Sequence, residues 1–91
     1  MSDCSKHKKE VCGISDMKVL AEAIGDLHYL SLTQLLYELS NKFHSDAERD
    51  NEAGREKLAS ALQYTGMGLL EAALRVEKVW KICQPFMEPK P

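Results

Sequence analysis

Apolar residues recur along this chain at three- and four-residue steps, the spacing that places side chains on one face of a helix. Val19, Leu20, Ala23, Ile24 and Leu27 form a first run, opened by Ser15 or Asp16 as N-cap and interrupted by Gly25. Leu32, Leu35, Leu36, Leu39 and Phe43 form a second. A third run starts at Arg55 and passes through Leu58, Ala61, Leu62, Thr65, Leu69, Ala72, Ala73, Val76, Val79, Trp80 and Cys83. It makes a helix of roughly 29 residues, about 44 Å long. Pro85 is expected to stop it, and Pro89 and Pro91 to keep the tail extended. No segment carries a strand alternation of comparable quality, so the pattern predicts an all-α protein.

The phase of the runs adds detail. Leu20, Ala23, Ile24, Leu27 and Leu30 point roughly 140° away from the second run on a helical wheel. One straight helix cannot offer both stripes to one partner. Either it is wrapped on two sides, or the chain bends between Leu30 and Leu32. Ser31-Leu32-Thr33-Gln34 matches a capping box with Leu30 and Leu35 at the staple positions, which favours a new helix start at Ser31. After Phe43 the second run fades into a polar segment, His44 to Gly54. A reversal about Asn51–Gly54, with Gly54 in the left-handed position, competes with one at His44-Ser45.

A turn at Asn51–Gly54 pairs Phe43 with Leu62, Leu36 with Leu69, Leu32 with Ala72 or Ala73, and Ile24 with Trp80, large and small partners alternating. Ala59, Ala61, Gly66, Gly68, Ala72 and Ala73 make the middle of the last helix thin. That suits a groove or dimer seam, and equally an ordinary contact within one chain. The expected architecture is an antiparallel helical hairpin with an additional N-terminal helical segment, completing a bundle by self-association. Residues 15–84 form its single domain, between a flexible arm at 1–14 and an extended tail at 85–91.

Composition limits the role. The 91 residues carry 12 Lys+Arg against 14 Asp+Glu, a net charge of −2. Such a balance argues against a basic nucleic-acid module and against an acidic mimic. No apolar run approaches the roughly 18 residues of a membrane span, and the polar segment Met1 to Gly13 lacks the core of a signal peptide. Three Cys make no disulfide framework and point to thiols in a reducing cytosol. A chain this short has a marginal core, which a second copy can complete.

The search for chemistry is sparse. Cys4, His7 and Cys12 have irregular spacing for a zinc site, so no metal or other cofactor is expected. His28 and His44 lack the Glu three residues before them that bundle metal sites use. Cys83 sits at the wrong helix end for a thiolate, His28 has no carboxylate or hydroxyl motif beside it, and Gly66-Met67-Gly68 is no phosphate loop. No catalytic residue is assigned. Arg49, Arg55 and Lys57 make a basic corner, but acidic neighbours interleave it. Glu71 with Arg75 and Glu77 with Lys81 are spaced as ion pairs on a solvated face.

Contact residues remain. Tyr29, Tyr37, Tyr64, Gly66, Gly68, Phe86 and Met87 are the candidates for an interaction surface. The expected function is a small non-enzymatic helical protein of the cytoplasm, an adaptor, accessory subunit or regulator acting through protein–protein contact. Its partners would be another protein and a second copy of itself, a dimer being favoured, with no membrane. A nucleic-acid-associated regulator using the Arg49–Lys57 corner is the alternative.

Overall fold

The computed structural model describes residues 7–87. Three helices follow one another: α1 spans Met17–Gly25, α2 Tyr29–Glu52 and α3 Glu56–Met87. Helices α2 and α3 pack along their length as an antiparallel hairpin, and α1 touches it lightly. The molecule is a rod, 57 × 27 × 16 Å, with a radius of gyration of 16.4 Å against about 12 Å for a compact chain of this length.

Local chemistry explains the helix ends. Asp16 caps α1, its side chain accepting from the Lys18 N–H at 2.9 Å. Gly25 ends that helix, as its poor propensity allows. The break then falls at residues 26–28, not at Ser31. The His28 Nδ1 accepts from the Leu30 N–H at 3.1 Å, so an imidazole supplies the N-cap of α2. Ser31 and Gln34 lie inside the helix, and Gln34 donates instead to the Glu38 carboxylate. The capping-box pattern is present and unused, because the cap three residues earlier already satisfies the first turn.

The reversal falls at Ala53-Gly54, with Gly54 at φ +86°, which selects the Asn51–Gly54 turn over His44-Ser45. Asp50 and Arg55 clamp it: Arg55 Nε donates to Asp50 Oδ1 at 2.7 Å, and the Arg55 backbone N–H donates to the Asp50 carbonyl at 2.8 Å. At the far end α3 runs through Pro85 to Met87, past its expected stop. In the last exposed turn proline forfeits only the bond to the Lys81 carbonyl, which solvent can satisfy. Cys4 and the tail from Glu88 lie outside the described residues.

The hairpin seam is built from small residues at a seven-residue period. Thr33, Ser40 and Ala47 face it from α2; Ala59, Gly66, Ala73 and finally Trp80 face it from α3. A strict heptad keeps two slightly under-wound helices in register over many turns. Ser40 Oγ donates to the Gly66 carbonyl at 2.7 Å and fixes that register, within one residue of the expected pairing. The partners do not alternate large with small, however: small meets small at the centre. Leu36, Phe43, Leu62, Leu69 and Val76 flank the seam and are half-buried. Among the described residues no large side chain is fully buried.

Four members of the third run turn out to lie off the seam, Leu58 among them. Ala61, Thr65 and Val79 are exposed. Glu77, expected on the solvated face, is partly covered. Trp80 closes the open end of the hairpin against His28, ring centroids 4.5 Å apart, where Ile24 was the expected neighbour.

Candidate functional site

The two faces of α3 differ in kind. Facing α2, Gly66 is buried where a Cβ would lie 3.0 Å from the His44 imidazole and 3.2 Å from the Ser40 carbonyl. A side chain here would crowd the contact, so that His44 or the Ser40 backbone would have to give by a few tenths of an ångström. Gly66 therefore serves the intrachain contact. On the other side Gly68 is exposed with nothing within 4 Å of a Cβ. The three most exposed large apolar side chains of the described residues lie on the same helix, toward its two ends: Phe86 at 84 %, Tyr64 at 79 % and Ile82 at 72 %.

The same face extends the length of the helix. Leu58, Ala61, Thr65, Gly68, Ala72, Arg75, Val79, Ile82 and Phe86 follow alternating three- and four-residue steps, a second heptad row on α3. Large apolar residues exposed in a continuous row are characteristic of contact surfaces, because leaving them in water forfeits about 25 cal/mol per Å² of apolar area. Of the expected contact residues, Gly68 and Phe86 fall in this row and Tyr64 on its edge, spread along the helix. Tyr29 and Tyr37 are half-buried on α2, Gly66 is in the seam, and Met87 is the last residue of α3. Ile82 was missed, as was the role of Leu58, Ala61, Thr65 and Val79. The heptad row was legible, but a three-four pattern on both faces of one helix merges into a single broad stripe when read along the sequence.

Two of the three cations of the basic corner, Arg49 and Arg55, are paired with carboxylates. Asp46 accepts from Lys42 and Arg49, and Asp50 holds Arg55. The hydrogen bond from Lys42, followed by that from Arg49, keeps the Asp46 carboxyl below its ordinary range, against the partial burial that would raise it. Beside the turn, His44, Glu48 and Ser60 line a shallow depression of about 340 Å³ with Asn51 and Gln63. Among the described residues no three His, Cys, Asp or Glu side chains group closely enough to hold a metal ion, and no disulfide joins Cys12 and Cys83. No described helix is long and apolar enough to cross a membrane.

Comparison with protein-family models, with curated proteins and with solved structures returned no match.

Proposed function

We propose that this chain is a small non-enzymatic helical protein whose work is protein–protein contact, as an adaptor, accessory subunit or regulator. The observation that carries this reading is the outer face of α3, where Ile82 and Phe86 stand uncovered in one row and Tyr64 on its edge. Aromatic and aliphatic side chains held on a long helix lose little conformational entropy on binding, so they make good anchors. The cysteines suit a reducing compartment, the cytoplasm.

The alternative, nucleic-acid regulation through the Arg49–Lys57 corner, is disfavoured by the ion pairs that neutralise Arg49 and Arg55 there. Affinity capture from the native cell tests both. Paired Ile82→Glu and Phe86→Glu changes should abolish capture of a protein bound by the parent, with a shallow salt dependence. Retention of capture in that variant would overturn the reading. Steep weakening with salt, removed by Arg49→Ala and Lys57→Ala, would favour the alternative.

A further inference from the structure

The outer face of α3 is complementary to itself, and the geometry points to a second copy of this chain, packed antiparallel, as its occupant. This deepens the interaction reading above and rests on it. The row is asymmetric along its length. After Leu58 at its start, its first half carries Ala61, Thr65 and Gly68, and its second half Val79, Ile82 and Phe86. Two such helices, related by a two-fold axis between Ala72 and Arg75, set Phe86 over Ala61 of the copy, Ile82 over Thr65 and Val79 over Gly68. Each bulky side chain meets a small one, and symmetry makes every contact twice. The open space beside Gly68 is where the Val79 of the copy enters.

Charge selects the same register. Glu71 and Lys78 flank the row on one edge, one heptad apart. The antiparallel arrangement places Glu71 beside Lys78 of the copy and Lys78 beside Glu71, whereas a parallel one sets Glu71 beside Val76 and Lys78 beside Cys83 with no opposite charge to meet. On that edge Tyr64 comes beside Pro85 of the copy. Arg75, near the axis, lies between Glu71 of its own helix, 4.0 Å away, and Glu71 of the copy.

The amount of surface agrees. A compact chain of 10.3 kDa exposes about 5,400 Å². This one exposes 7338 Å². The excess is spread over an elongated rod, and a standard interface would remove roughly 800 Å² of it from each partner.

Sedimentation equilibrium of the full chain at about 1–100 µM, with circular dichroism on every variant, tests the pairing. The parent should sediment as a dimer. Gly68→Gln, which meets open space in the single chain, and Ile82→Glu should both be monomers of unchanged helicity. Glu71→Lys and Lys78→Glu should each weaken the dimer about tenfold, and the double change should restore it. A monomeric parent, a dimer indifferent to Gly68→Gln, or a double change no better than the singles overturns the proposal. A monomeric parent whose capture of a different protein is lost in Ile82→Glu removes the self-pairing and leaves the interaction reading standing. A dimer in this register whose variants capture the same proteins as the parent does the reverse.

Discussion

Gly66 and Gly68 stand two residues apart on α3, on opposite sides of it. One is pressed against His44 and Ser40, so that a methyl group would fit only if these gave by a few tenths of an ångström; the other faces open space. The same pairing of opposites runs along the helix. Trp80 is 7 % exposed and closes the seam against His28, while Phe86, six residues on, is 84 % exposed. Both faces carry small residues at heptad spacing, yet one spends them on approach between two helices and the other leaves them uncovered. Small size is thus no index of burial here. What distinguishes the faces is whether a second helix of the same chain lies opposite.

Substitutions sharpen this contrast when unfolding is followed at low protein concentration. Trp80→Ala should cost about 3–4 kcal/mol, since it empties the closed end of the seam, and Phe86→Ala under about 0.5 kcal/mol. Comparable losses at the two aromatics would erase the distinction between the faces.

Gly66→Leu should cost roughly 2–3 kcal/mol by forcing the helices apart. Gly68→Ala should instead stabilise by about 0.5–1 kcal/mol, because only helix propensity changes there. Opposite signs two residues apart in thermal melts are the expected result.

Ser40→Ala removes the buried bond to the Gly66 carbonyl and should cost about 1 kcal/mol. Asp46→Asn, away from the seam, should cost only about 0.5 kcal/mol near neutral pH. The sign with pH follows from the lowered carboxyl: its contribution is present above the ordinary carboxylate range and lost as pH falls through the lowered folded value. The melts of Asp46→Asn and the parent should therefore converge in acid. Smallest of all, Ser31→Ala should be neutral or stabilising by about 0.3 kcal/mol, since Ser31 lies inside α2 and caps nothing.

Much of the architecture was already determined by the sequence, because it depends on local periodicity and local breakers. The all-α class follows from three-four spacing. Cap chemistry and glycine's access to positive φ narrowed the α1 cap to Ser15 or Asp16 and the reversal to two places, of which the one at Gly54 carries the hairpin register to within one residue. The structure chose Asp16 and Gly54. Tertiary structure alone decided three other things. His28, with no ordinary capping side chain, became the cap of α2 while its ring lies against Trp80, a residue distant in sequence, so Ser31 went unused. The core proved to be a seam of Thr33, Ser40, Ala47, Ala59, Gly66 and Ala73 rather than of leucines. Two helices can approach closely only along one line each, and that line admits small side chains while larger ones are pushed to its flanks. Finally, Leu58, Ala61, Thr65 and Val79 fell on the uncovered side of α3. Their spacing marks a helical face, but which face meets α2 depends on the close fit at Gly66, a contact between residues 26 apart that no local pattern encodes.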